Sequence, residues 1–420
     1  MRLSRFRLVV SRPSWALAAL LLAGCGDGLI TQPHPGAALT TLPRALSPAE
    51  QSVLAAANDF SFTLWHQENA AVGDSNIFVS PLSASFSLGM AMNGAAGQTF
   101  EQMRSGLGFG SVPAANVDSG YQHAIALLTS LDRNVTMQIA NSIWYRNTFP
   151  FNQQFLTEDA TYFGATISPL DFDNTPASLA AINGWVSAKT NGRIPSIVSE
   201  IDPADVMFLV NAIYFKGSWR ERFDPTLTRD TVFRGRRGAE PVRLMHREGT
   251  MLYAGTPGYE AVELPYGDSA FTMDVILPAA GASIDSLAGA LTPELWQSIV
   301  AGLRPAKVAL DLPKFTATWQ RDMIPDLEVL GMHAPFAPNG ADFSRMSPLG
   351  SQLYISRVRQ KTYVSVDEEG TEAAAVTSTG VTTTAVELSA PMRVDRPFLL
   401  VIRERLSGTI LFMGKILDVE

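Results

Sequence analysis

Residues 370–387, GTEAAAVTSTGVTTTAVE, constrain the fold of this chain more than any other stretch. They carry no charge from Ala373 to Val386, and no aromatic residue occurs from Val364 to Pro397. The stretch has little apolar surface to bury in a core, and it lacks the charge and proline of a solvated linker. Because Thr, Val and Ala dominate it, we interpret it as a conditional strand, exposed in one state and paired in another. The alternative is a flexible loop of low complexity.

The segments on both sides of this stretch have the patterns of β-strands. From Val358 to Asp367, apolar or neutral residues alternate with polar or charged ones, which predicts a strand with one buried face. After the stretch, the segments RPFLLVI (396–402) and LFMGKI (411–416) predict short buried strands. The stretch therefore connects strands and begins at a run of acidic residues and a glycine.

These segments together resemble the serpin family. EEGTEAAA, RPFLLVI and LFMGKI stand in the serpin order, and the resemblance covers roughly Pro48 to the C-terminus. NIFVSPLSASFSLGMAMNGA (76–95) and INGWVSAKTNGRI (182–194) are also serpin-like. In serpins the string EEGTEAAA is the hinge of the reactive loop. In this chain it comprises Glu368, Glu369, Gly370, Thr371, Glu372, Ala373, Ala374 and Ala375.

The resemblance implies an α+β fold with a large, mostly antiparallel sheet, two smaller sheets and about eight or nine helices. It implies one domain over residues 47–420, with an exposed reactive-centre loop at about residues 368–392. Many animal serpins have a histidine at the position of Gln360 in this chain, and a glutamine side chain cannot titrate. The shutter and breach, where the strands of the main sheet must part, are expected to include Ser80, Ser83, Asn211, Trp219 and Gln360.

The resemblance also implies that the chain inhibits serine proteases as a suicide substrate. A protease cleaves the exposed loop and forms an acyl-enzyme, and the freed half of the loop enters the main sheet beside the strand at 358–367. Thr371, Ala373 and the following alternate residues are small and uncharged, as an inward face requires, whereas Glu372 falls on the opposite face. We expect Thr371 to be exposed before cleavage.

Two counts locate the cleaved bond. Counting forward from Glu368 by the spacing usual in the family gives Thr384-Ala385, and counting back from Phe398 gives Val386-Glu387 as the alternative. We favour the first because the length of insertion is mechanically constrained. In both cases the residue that donates the carbonyl is small and uncharged, which favours elastase-like or subtilisin-like proteases.

The N-terminal residues predict export and lipid attachment. Four arginines precede the apolar run Trp15–Leu22, which is too short to span a bilayer and is typical of a secretion signal. The signal ends in Leu22-Ala23-Gly24-Cys25, which resembles a bacterial lipoprotein cleavage box. We expect residues 1–24 to be removed, Cys25 to be acylated and residues 25–46 to form a flexible spacer. The protein would then face the periplasm, the cell surface or the medium; otherwise, the signal is unprocessed and merely contains a cysteine.

Composition and motifs argue against other functions. Without the arginines of residues 1–24, 28 basic residues remain against 40 acidic ones, a balance with no footprint for nucleic acid. No hydrolase elbow, zinc-protease helix, P-loop or dinucleotide-binding pattern occurs, and the five histidines lack ligand spacing. We expect a monomeric inhibitor without metal, cofactor or enzymatic activity. A non-inhibitory serpin that acts as a surface binding protein is the main alternative, and an enzyme is a further one.

Several elements are predicted by local signals. Ser47-Pro48-Ala49-Glu50 is a capping box that begins a helix to about Gln67. Ser80-Pro81 begins a second helix that ends at Asn93-Gly94. The nearly unbroken apolar run at 206–215 predicts a central strand that is covered on both faces.

Overall fold

A computed structural model of the protein describes residues 36–110, 112–371 and 389–419. None of the helices in these ranges is long and apolar enough to cross a membrane. Several sequence predictions lie outside the described residues. These are the signal peptide at 1–24, the lipidation residue Cys25, the hinge residues Glu372, Ala373, Ala374 and Ala375, and the candidate bonds Thr384-Ala385 and Val386-Glu387.

The described residues form nine α-helices, two of which begin at the capping signals of the sequence. Ser47 accepts a hydrogen bond from the Glu50 backbone N–H, and the Glu50 carboxylate accepts one from the Ser47 N–H, which completes the capping box. The Ser80 side chain caps the second helix by accepting a hydrogen bond from the Ser83 N–H. The helices are α1 (Pro48–Ala71), α2 (Pro81–Asn93), α3 (Gly97–Gly106), α4 (Ala114–Ser130), α5 (Gln153–Tyr162), α6 (Thr175–Lys189), α7 (Ile284–Ala290), α8 (Pro293–Gly302) and α9 (Ile324–Val329).

The β-strands of the same residues form two sheets, and the fold is α+β as predicted. The strands are β1 (Ile77–Val79), β2 (Val135–Arg146), β3 (Thr166–Leu170), β4 (Met207–Ser218), β5 (Arg229–Gly235), β6 (Gly238–Gly255), β7 (Tyr259–Pro265), β8 (Phe271–Pro278), β9 (Arg304–Pro313), β10 (Phe315–Asp322), β11 (Arg359–Asp367), β12 (Gly370–Thr371), β13 (Ala390–Arg393), β14 (Phe398–Glu404) and β15 (Ile410–Ile416).

One sheet has six strands in the order β10-β11-β12-β4-β2-β3, and we call it the main sheet. Its pairs are antiparallel except β2 with β3. The other sheet has the order β1-β15-β14-β8-β7-β6-β9-β13, with β5 paired to β6. The two smaller sheets expected from the sequence are continuous here, because the 18-residue strand β6 pairs with β5 at one end and with β7 at the other.

Helix α2 is the central helix of the fold. Of its 13 residues, all but one are buried, which is typical of a helix with protein on every side. It contacts β4 of the main sheet and β15 of the other sheet. On the far face of the main sheet, α6 packs Ile182 and Val186 into a smaller apolar cluster with Trp144 and Val210. The predicted strand at 206–215 is therefore covered on both faces.

The segment before α1 is attached to the domain. The Leu39 N–H donates to the Asp268 carbonyl at 2.7 Å, and the guanidinium of Arg44 binds both carboxylate oxygens of Glu50 at 2.8 and 2.6 Å. These polar contacts hold residues 39 and 44 against the protein, within the segment 25–46 that the sequence predicts to be a flexible spacer.

Candidate hinge and shutter

Strand β12 inserts the start of the hinge between β4 and β11. Gly370 pairs with Ser218 of β4 and Thr371 with Gly217, and both pair on their other side with the last two residues of β11. Gly370 has a φ of 153°, and a Cβ added to it would lie 2.1 Å from the Gly217 carbonyl oxygen. Only glycine fits this close approach between backbones.

The turn that leads into β12 is fixed by two carboxylates. Asp367 Oδ1 accepts hydrogen bonds from the N–H groups of Glu369 and Gly370 at 2.9 and 3.2 Å. The nearly buried carboxylate of Glu368 accepts from Lys314 Nζ at 2.5 Å and from Thr228 Oγ1 at 2.8 Å. Burial raises the pKa of Glu368, but these hydrogen bonds outweigh burial, and the pKa lies below its ordinary value. Glu368 is therefore charged at neutral pH and attaches the turn to its neighbours.

Thr371 is already part of the sheet interior. It is 2% exposed, and its hydroxyl lies 2.6 Å from the hydroxyl of Tyr266. Burial raises the pKa of Tyr266, which keeps that hydroxyl protonated. The expectation that Thr371 is exposed before cleavage is therefore wrong, because its backbone is paired on both sides and its side chain has a buried partner.

Trp219 lies against the turn at which the hinge enters the sheet. Its indole Nε1 donates to the Asp367 carbonyl at 2.9 Å, and its backbone N–H donates to the Glu369 carbonyl at 2.7 Å. Its ring stacks on Tyr266 with centroids 4.5 Å apart. Tyr266 was not singled out by the sequence, which has no local signal for it.

Four of the five residues predicted for the shutter and breach, all except Trp219, contact one another through α2 and its N-cap Ser80. The Ser80 N–H donates to Gln360 Oε1 at 2.8 Å, and Gln360 Nε2 donates to the Ser80 carbonyl at 2.7 Å. The Ser83 hydroxyl donates to Asn211 Oδ1, and Asn211 Nδ2 donates to Asn141 Oδ1 at 2.5 Å. We call Ser80, Ser83, Asn141, Asn211 and Gln360 the shutter cluster.

Asn141 is the member of this cluster that sequence reasoning missed. It lies on β2 directly opposite Asn211 in the strand pairing, and its side chain also donates to the Phe163 carbonyl at 2.7 Å. Its position as a polar residue in the mostly apolar segment of β2 was the available signal, since a buried amide must find partners.

Beyond Thr371, no strand separates β4 from β11 in the described part of the chain, and the two do not pair with each other. A cavity of about 590 Å³ lies toward their far ends, lined by residues 207–210 of β4 and by Val358 and Arg359 among others. Within the described residues, the facing backbone edges of both strands therefore have no strand partner beyond β12, and we call the space between them the gap. Across the described ranges, no group of three or more His, Cys, Asp or Glu residues is placed to hold a metal ion.

Comparisons with known proteins agree with this arrangement. A family model described as "Serpin (serine protease inhibitor)" matches residues 55–419. An uncharacterized serpin-like protein of Thermococcus kodakarensis is 33% identical, over 92% of this chain and 91% of its own length. Human neuroserpin is 30% identical, over 86% of this chain and 90% of its own length.

Solved structures give the same result. The thermophilic serpin tengpin in its native state is similar with a TM-score of 0.79 and 30% identity, over 92% of this chain and 97% of tengpin. Human thyroxine-binding globulin is similar with a TM-score of 0.81 and 27% identity, over 88% of this chain and 99% of its own. This chain belongs to the serpin family, whose members are typically protease inhibitors.

Proposed function

We propose that this serpin inhibits serine proteases as a suicide substrate, by insertion of its cleaved loop between β4 and β11. The observation that carries the proposal is the position of β12. The first two residues of the strand that would insert already pair with both neighbours, and the strand edges beyond them face a gap. Insertion would give partners to the backbone groups along these edges, so the native state would be a kinetic trap rather than a minimum of free energy.

The pairing of β12 gives the register that further insertion would follow. If the antiparallel pairing continues, Ala373 and Ala375 come next on the inward face, and Thr377 arrives between Asn211 of β4 and Gln360 of β11. The inward residues are small and uncharged, and the third of them would bring a hydroxyl to the polar shutter cluster. The sequence of the loop is therefore matched to the walls of the gap.

The outward face has a similar match. In the same register, Glu372 lies opposite Lys216 of β4, and residues of opposite charge that face each other across strands stabilise a sheet. The one charged residue of the inserting segment would therefore meet a cation on the solvent side of the main sheet.

The proposed reaction begins as ordinary proteolysis. The serine oxygen of the protease attacks the carbonyl carbon of Thr384, the bond to the Ala385 nitrogen breaks, and an ester joins protease and loop. Insertion would carry the esterified protease away before water cleaves the ester. Because the Thr384 side chain is small and uncharged, elastase-like or subtilisin-like proteases are the proposed targets; the alternative bond, Val386-Glu387, leads to the same class.

A panel of serine proteases tests this proposal. Elastase-like and subtilisin-like enzymes are expected to form a complex that survives SDS, and the mass of the released C-terminal fragment would identify the cleaved bond. Thr384→Arg is the matched variant, and it should shift complex formation toward trypsin-like enzymes. Cleavage in the loop without a stable complex would contradict inhibition and would favour a non-inhibitory serpin that acts as a binding protein.

We further propose that the protein is exported and anchored through acylated Cys25. The support is the cleavage box Leu22-Ala23-Gly24-Cys25 after a basic and apolar leader. Cys25→Ser is expected to move the protein from the membrane fraction to the soluble fraction without changing its complex formation with protease. A mature N-terminus other than residue 25, or a membrane-bound Cys25→Ser variant, would contradict the anchor.

A further inference from the structure

Three ionisable side chains meet in the interior where α1, β10 and α9 pack together. Glu68 of α1 is fully buried, Asp326 of α9 is 4% exposed, and Arg321 of β10 reaches between them. Arg321 Nε lies 2.9 Å from Glu68 Oε2 and 3.0 Å from Asp326 Oδ2. We call these three residues the Glu68 triad.

Arg321 satisfies one carboxylate of the triad and not the other. Its Nε and Nη2 donate to the two oxygens of Asp326 at 3.0 and 3.2 Å. Both carboxylate oxygens of Glu68 are buried, and neither accepts a hydrogen bond from any residue that the structure describes. Burial raises the pKa of Glu68 to about 8, with Asp326 adding to the shift and Arg321 opposing it. Arg321 Nε lies close to Glu68 but is hydrogen-bonded to Asp326, so the buried Glu68 carboxyl group is more stable as the neutral acid.

Strand β10 connects the triad to the shutter cluster. Arg321 lies directly opposite Gln360 in the β10–β11 pairing, which continues without a break from Phe315 to Asp322. Gln360 in turn exchanges two hydrogen bonds with the backbone of Ser80. A shift of β10 at Arg321 would therefore also move Gln360, which connects the β11 side of the gap to Ser80.

We propose that the Glu68 triad is a proton-operated switch on the shutter. When Glu68 is protonated, the charges of Arg321 and Asp326 balance, and β10 stays packed against α1. When Glu68 loses its proton, two buried carboxylates compete for one guanidinium, and the packing of β10 and β11 against the helices loosens. Because β11 borders the gap, the gap opens more readily at alkaline pH.

The charges around Glu68 give the direction of the effect. Arg321 from β10 and Asp326 from α9 act on Glu68, and Asp322 of β10 acts on Arg321. The pKa of Glu68 in the native state, about 8, lies above its ordinary value of 4.5. Between these values the native state holds a proton that the opened state releases, so native stability falls as pH rises from 4.5 to 8. Gln360 cannot supply such a response, because it does not titrate.

Amide hydrogen exchange of β11 at matched pH tests the proposal without any protease. Glu68→Gln imitates the protonated acid, and at one pH the chemical exchange rates of the parent and the variant are the same. We expect the opening equilibrium of residues 359–366 to rise by about thirtyfold more in the parent than in Glu68→Gln between pH 6.5 and pH 9. Thermal unfolding midpoints should fall further over the same range in the parent than in the variant, because other buried carboxyl groups such as Asp118 and Asp159 titrate in both.

Two more variants make the test decisive. Asp326→Asn removes the carboxylate that competes with Glu68 for Arg321. Arg321 can then pair with deprotonated Glu68, which lowers the pH at which Glu68 loses its proton. We therefore expect a lower transition pH for Asp326→Asn, and an unchanged pH profile for Glu101→Gln, whose side chain is 66% exposed on α3. The same pH dependence in Glu68→Gln as in the parent, or no downward shift in Asp326→Asn, would overturn the switch. A change in unfolding midpoint without a change in β11 exchange would overturn its link to the shutter.

Discussion

At one end of the gap between β4 and β11 the strands are joined by backbone hydrogen bonds, and at the other end by side chains. At the hinge end, Gly370 and Thr371 pair with both strands. At the shutter end, Gln360 and Asn211 reach the same helix, α2, through Ser80 and Ser83. The hinge end is closed by backbone N–H and C=O groups, whereas the shutter end depends on the amides and hydroxyls of particular side chains.

This difference predicts how each end of the gap should respond to amino-acid substitution. A backbone pairing tolerates many side chains, provided that the inward ones are small, and it fails when one is large or charged. A network of buried side chains fails when a single donor or acceptor is removed, because its partners are left unpaired. Damage at the hinge end should therefore prevent insertion, and damage at the shutter end should ease it.

The largest effect is expected from a charge on the inward face of β12. Thr371→Arg would bury an unpaired guanidinium beside Tyr266, at an effective cost of several kcal/mol. Since Thr371 is buried before cleavage, we expect both a lower thermal unfolding midpoint and the loss of most SDS-stable complex. Thr371→Ser keeps the hydroxyl and serves as the control. If Thr371→Arg traps protease as well as the parent does, insertion at this position is not the working step.

An intermediate effect is expected from the ion pair that holds the turn. Glu368→Lys removes a carboxylate that is 8% exposed and leaves Lys314, which is 31% exposed, facing a second cation. Because Lys314 is partly solvated, we expect a loss of about 1.5–3 kcal/mol in native stability, as for a hydrogen bond to a charged group. Adding Lys314→Glu should restore most of the loss, and thermal unfolding of the three proteins would measure it. No recovery in the swapped variant would mean that the backbone alone holds this end.

The same pair has a definite pH dependence. Burial alone would raise the pKa of Glu368, but the hydrogen bonds from Lys314 and Thr228 lower it below 4.5. The stability that this carboxylate contributes is therefore present above pH 4.5 and is lost as pH falls through the lower native value. The difference in stability between the parent and Glu368→Lys should shrink in acid, in the direction opposite to that of Glu68.

Local signals predicted the fold well where side chains mark the ends of elements. Helices α1 and α2 were predicted from Ser47 and Ser80, which cap them in the structure. Helices α3, α4 and α5 were not predicted, and all three begin without a side-chain capping bond. At α5 the residue in the capping position is Asn152, whose side chain instead donates to the carbonyls of Ser344 and Arg345. The missed helices depend on tertiary contacts that no local pattern records.

The candidate site divides in the same way. The resemblance identified the hinge string and four members of the shutter cluster, but it did not predict that Thr371 is already inserted. Alternation shows which face a residue takes in a strand, whereas the extent of insertion is decided by distant partners such as Tyr266. Tyr266 reaches the hinge from the turn between β7 and β8, and Asn141 reaches Asn211 across a strand pair.

The smallest effect on stability, and the sharpest contrast between the two ends, is expected from Asn211→Ala. This change leaves the Ser83 hydroxyl and Asn141 Oδ1 without their Asn211 partner, at a cost of about 1–3 kcal/mol. Because the shutter would open more easily, the variant should still trap protease as efficiently as the parent. During storage it should convert faster to latent or polymeric protein, which non-denaturing gels would reveal. Asn116→Ala, at an exposed position on α4, is the control and should behave as the parent. A variant that loses trapping along with stability would mean that the shutter guides insertion, and the proposed contrast with the hinge would not hold.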